Sequence, residues 1–186
     1  MKHFIIVLLG LMLSSQAFAQ TPNGNNSNGG TVTGNVGGYD AFVSTTPTIQ
    51  SASYVSGNCM GGFQAVAAAR ISGGSGIFNK FTLISKGGLL TAKQIYVFTS
   101  NPSSSTCTDK GAFTIAAADL PKLISTFSIT PAVPIGGVAS EGEASGLQQS
   151  FVTSGNQNLY FAIVETTTET PASTSDLIFN IGVLQD

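Results

Sequence analysis

Apolar and polar positions alternate with a period of two through much of this chain, and glycine-bearing turns cut the pattern into short segments. Between Gly62 and Pro102 three apolar segments, FQAVAAARI, IFNKFTLIS and QIYVFTSNP, are separated by SGGSG and KGGLLTAK. This reads as an antiparallel meander. Ser72 to Gly76 supplies residues that take positive φ at little steric cost, as tight hairpins require, and Lys86-Gly87-Gly88 marks the second reversal. Upstream, Thr48 to Val55 alternates well enough for a first strand. Ala65 to Arg70 is alanine-rich, which favours helix, yet its short length and flanking glycines make it a strand. In the third segment Ile77, Phe81 and Leu83 are expected on one face, with Lys80 and Thr82 on the other.

After Pro102 comes a polar turn, then Ile115 to Leu120 as one helical turn stopped by Pro121. Leu123 to Thr130 returns to strand. Pro131 to Gly146, with two prolines and several glycines, reads as a long exposed loop. Gln148 to Thr153 is a short strand, and Ser154 to Asn158 turns the chain into Leu159 to Glu165, its most apolar strand. Thr166 to Ser175 is a polar connection. Leu177, Phe179, Ile181 and Val183 alternate cleanly in the last strand. About eight strands, one brief helix and no βαβ period predict an all-β domain, a jelly-roll-like sandwich of two antiparallel sheets. A closed barrel is the alternative. No internal repeat points to a propeller or solenoid.

The chain's beginning is organised differently. Lys2 and His3 precede an apolar run from Phe4 to Leu13, and Ala17-Phe18-Ala19 places small residues where a signal peptidase reads. A secretory leader over residues 1–19 is expected, cleaved between Ala19 and Gln20. The run is shorter than the ~20 residues that span a bilayer, and no later run is long enough for a membrane helix. Residues 20–38, rich in Asn, Gly, Thr and Ser, read as a flexible linker. One folded domain is expected over residues 39–186, and the product is placed outside the cytoplasm: secreted, periplasmic or on the cell surface. Cys59 and Cys107 are the only cysteines, an even number in an exported chain, so a disulfide between them is expected.

Composition narrows the chemistry. His3 is the only histidine and leaves with the leader, which excludes a Ser-His-Asp triad, a Cys-His pair and histidine-ligated metal. No G-x-S-x-G frame is present, and SGGSG lacks the Lys-Ser/Thr of a phosphate loop. Lys2 leaves too, so six basic residues face nine acidic ones. That balance, with 9% charged residues and no basic cluster, argues against nucleic acid as a partner. Asp109 and Asp119 flank the short helix, where a turn and a solvent face explain them better than an acid/base pair. Glu141 and Glu143 lack the dense Asp/Asn spacing of a calcium loop and read as solvated loop residues. No catalytic, cofactor-binding or metal-ligating residue is assigned, and no cofactor.

Several stretches together resemble a known group. They are the Gly61-Gly62 pair before a strand, the SGGSG turn, the Phe-x-x-Asn-Pro turn from Phe98 to Pro102, the block from Thr108-Asp109 to Asp119-Leu120, and the ending SDLIFNIGVLQD. From about Thr46 to Asp186 the chain looks like small structural proteins of tailed bacteriophages, here preceded by a secretory leader. The resemblance implies a virion-associated β-sandwich, capsid-decorating or tail-associated, with no catalytic residues to carry over. The expected function is a non-catalytic structural or interaction module with a protein or surface partner, self-associating into a homo-oligomer. A secreted carbohydrate- or ligand-binding sandwich is the alternative, with loops 131–146 and 166–175 as its binding end.

Overall fold

A computed structural model describes residues 39–186; the expected leader, its Ala19–Gln20 cleavage point and the 20–38 linker lie outside them. Nine strands form: β1 (Tyr39–Thr45), β2 (Gln64–Ala67), β3 (Ser75–Ser85), β4 (Lys93–Phe98), β5 (Leu123–Ile129), β6 (Val133–Ile135), β7 (Ala139–Val152), β8 (Asn158–Glu165) and β9 (Leu177–Gln185). They make two antiparallel sheets, ordered β1-β9-β3-β7-β6 and β2-β8-β4-β5, and the sheets do not close into a barrel. With the three-residue β6 set aside, this is jelly-roll strand order.

That order corrects the expected meander. β2 and β4 lie in the four-stranded sheet, whereas β3 lies in the other, between β9 and β7. The chain therefore crosses between sheets at both glycine turns. Each connection, 68–74 and 86–92, is longer than the two to five residues of a typical hairpin loop. Glycine marks a reversal in either case; only the pairing partners tell a hairpin from a crossing.

Alternation in β9 works as expected, for Leu177, Phe179, Ile181 and Val183 are all buried. In β3 the register shifts between Phe78 and Lys80, so Phe78 joins Phe81 and Leu83 in the core and Ile77 turns outward. One extra residue in a strand reverses the face of everything before it. Phe81 sits at the centre of the core, with ring centroids 4.6–5.5 Å from Phe78, Phe127, Phe161 and Phe179, which come from both sheets. Such aromatic pairs add about 0.5–1.5 kcal/mol each beyond burial.

Three other expectations change. Thr48 to Val55 forms no strand; Ile49 and Tyr54 enter the core as separate plugs, and Tyr54 makes only an isolated bridge to Glu169. The helix is a 3₁₀ helix over Ala117–Lys122 with Pro121 inside it, because i→i+3 bonding resumes beyond the proline, where Leu123 N donates to Leu120 O. Residues 131–146 are not a loop. They hold β6, a turn at Gly136-Gly137, and the first half of β7, the longest strand. Small residues hid it. Gly142 lies where a Cβ would strike the Thr130 carbonyl, so only glycine lets β7 pass the end of β5.

Candidate functional site

The outer face of the four-stranded sheet is covered. The 24 residues between β4 and β5 fold back over it, and the Cys59–Cys107 disulfide fastens them to the β1–β2 connection. Beneath lies a second apolar cluster of both cysteines, Ala162 and Val164, packed by Phe63, Tyr96 and Phe113. β8 is consequently buried on both faces along its second half, which explains why Leu159 to Glu165 is a continuous apolar run rather than an alternating one.

Carboxylates hold this covering and the loops in place. Asp109 accepts from the Tyr54 hydroxyl and from Gly61 N, each at 2.6 Å, while Gln50 N donates to the Tyr54 oxygen at 2.8 Å. Burial raises the Tyr54 pKa, and the Asp109 carboxylate accepting its proton raises it further. Asp119 is buried rather than solvent-facing. It accepts from Lys122 Nζ (2.7 Å), Ser105 Oγ (2.7 Å) and Ser104 N (2.9 Å), and Lys122 foremost holds its carboxyl below the usual range. Asp109 and Asp119 thus bind different groups and are not brought together as a pair. Asp176, also buried, takes Gly87 N, Ser85 Oγ and Ala172 N, joining the β8–β9 connection to the turn after β3.

The densest polar cluster was not anticipated. Lys93 and Glu165 stand directly opposite on β4 and β8, both fully buried, with Nζ and Oε2 3.0 Å apart. Glu169 reaches in from the next connection, its Oε2 2.6 Å from the same Nζ. Lys93 Nζ also donates to Thr91 O (2.9 Å) and Thr91 Oγ1 (2.6 Å), so its three protons are taken and Glu165 Oε2 has no hydrogen-bond donor. Glu169 further accepts from Leu90 N at 2.7 Å, closing the 86–92 and 166–176 connections onto one another. Burial works to raise the Glu169 pKa, but Lys93, Thr91 and Leu90 N–H outweigh it and hold it below the usual range.

A carboxyl whose folded pKa is depressed contributes stability above its unfolded value and loses it as pH falls through the folded one. Melting temperature should therefore drop below about pH 4.5, the unfolded carboxyl range, and Glu169→Gln should flatten part of that drop. An unchanged slope in the variant would show that Glu169 is not among the groups responsible.

The outer face of the five-stranded sheet is different: no described segment lies over it. Phe42 (64% exposed), Ile77 (38%), Val133 (62%) and Val152 (61%) present apolar surface there. Glu141 and Glu143 are on this face, on β7 rather than in a loop, opposite Ile84 and Thr82. Lys80 pairs with Glu143 at 2.5 Å and holds its carboxyl below the usual range. Among the described residues, no cluster of three or more His, Cys, Asp or Glu is placed to hold a metal ion, and no helix is long and apolar enough to cross a membrane.

An open cleft of about 580 Å³ lies between the turn after β3 and the β6–β7 hairpin, lined by Lys86, Leu90, Pro134, Val138 and Ser140 among others. Among the described residues Lys86 is its one charged lining residue, and no aromatic ring lines it. Sequence reasoning missed Lys93 and Glu165 because each ends an otherwise apolar strand and looks like a boundary residue. A charge directly abutting QIYVF and LYFAIV on both strands was the available signal. No family model matches the chain, and no curated protein matches it in sequence.

Proposed function

We propose that this chain is a non-catalytic structural and interaction module, exported or particle-associated, of the virion-structural kind its sequence resembles. The observation that carries the reading is the contrast between the two outer faces. One is sealed by a disulfide-fastened excursion with its own apolar cluster; over the other no described segment lies, and Phe42, Ile77, Val133 and Val152 are exposed on it. Exposed apolar surface on a rigid sheet marks an interaction site. The carboxylates support the same reading, since the buried Asp119, Asp176 and Glu165 and the partly buried Asp109 and Glu169 are each engaged in holding loops.

The cleft beside Lys86 favours a second reading, a secreted ligand- or carbohydrate-binding module. Its lining offers no ring for a sugar to stack on, so it ranks below the first. Co-sedimentation of the purified chain with cell envelopes and with phage particles tests the two. The interaction reading expects binding that falls about a hundredfold or more when Val133→Ser and Val152→Ser are combined, about what two buried valines contribute at ~1.5 kcal/mol each. No binding to either surface, together with saturable binding on a glycan array, would replace it with the second reading.

A further inference from the structure

We propose that two copies of this chain join through the free edges of their β1 strands, antiparallel about a two-fold axis centred on Phe42. The two five-stranded sheets then become one continuous sheet. The proposal rests on the interaction-module reading and names the partner as a second copy.

Edge strands expose unpaired backbone donors and acceptors, and proteins usually blunt them with short length, proline, bulges or charge. Three of the four edges here are managed. β6 has three residues and contains Pro134; β2 has four; β5 is bulged at Ile124, where its pairing with β4 skips a residue. β1 is the exception. It runs seven residues without proline or bulge, Asp40 is its only charge, and Tyr39 and Phe42 are both more than half exposed. Among the described residues no strand pairs with its free edge, and at its end Thr45 Oγ1 donates to Gln64 Oε1 of the other sheet at 3.5 Å.

The sequence of β1 is complementary to itself. With Phe42 opposite its own copy, Ala41 meets Val43, Asp40 meets Ser44 and Tyr39 meets Thr45. All seven residues pair and no like charges face each other. Moving the axis two residues toward the N-terminus sets Asp40 against Asp40, which is destabilising. Moving it two residues the other way, to Ser44, leaves Tyr39 to Phe42 without partners in the strand. On the outer face Phe42 stands beside Gly182, its register partner in β9. An isologous contact of this kind closes as a dimer and does not propagate.

Ser44 provides the test, since it is exposed and a change there leaves the core untouched. Ser44→Lys sets a cation opposite Asp40 of the other copy, and Ser44→Asp sets an anion there. Light scattering over a concentration series of the chain beginning at Gln20 should show a monomer–dimer equilibrium. Two symmetric charge pairs should tighten it about five-fold in the lysine variant and weaken it about five-fold in the aspartate variant. Melting curves confirm that both variants fold.

A chain that stays monomeric at every concentration overturns the proposal; an edge covered by the chain's own preceding residues or by another protein gives that result. A dimer that the two variants leave unmoved, or shift in the same direction, overturns it as well. Surface association, read separately by co-sedimentation, stands or falls without reference to Ser44.

Discussion

Lys93→Ala should lower the unfolding free energy by about 3–5 kcal/mol, the range found when one partner of a buried ion cluster is removed. The side chain is fully buried, and its ammonium is the one cation between Glu165 and Glu169. Removing it leaves two carboxylates facing each other at the rim of the core, one with an oxygen that already lacks a donor. It also frees Thr91, through which the 86–92 and 166–176 connections are tied. Urea denaturation measures the loss. Combining Lys93→Met with Glu165→Gln and Glu169→Gln should recover most of it, because matched neutral groups remove the orphaned charge. If the triple variant is as unstable as Lys93→Ala, lost packing rather than uncompensated charge sets the cost.

Replacing both cysteines by alanine should destabilise the domain by about 4 kcal/mol, the chain-entropy value for a closed loop of roughly 49 residues. The loss should also be local. The disulfide fastens the segment between β4 and β5 over the sheet, so amide exchange at residues 103–119 should accelerate at denaturant levels that leave β3 and β9 protected. Uniform acceleration across the domain would mean that the covering and the sandwich unfold as one unit. Reduction of the native protein should reproduce the double variant.

Much of the fold was legible because alternation reports one-sided burial directly, as in β9. The reading failed where a second effect intervened. The bulge in β3 reversed the face of Ile77, and no local residue type announces a bulge. β7 passed for a loop because Gly142 and Gly146, small for close approach and for a positive φ, look like turn residues when their neighbours across the sheet are unknown. Thr48 to Val55 looked like a strand because two core plugs, Ile49 and Tyr54, fell at suggestive spacing. The cysteine pairing was readable from an even number of cysteines behind an expected leader, but not the fact that it fastens a cover over the sheet. The bare face and the β1 edge belong to the arrangement of strands, which depends on partners far apart in sequence.

One of those pairings governs how the molecule can be made. β9, the last of the described strands, lies between β1 and β3, with Tyr39 paired to Gln185 and Phe78 to Val183. The five-stranded sheet therefore has a gap in it until residues 177–185 have been synthesised, and β1 waits until then for β9, the strand it pairs with. A chain whose first and last strands must meet folds late and slowly. Ribosomal products that stop short of Leu177 lack the strand that joins β1 to β3, so the sandwich closes only once β9 is made.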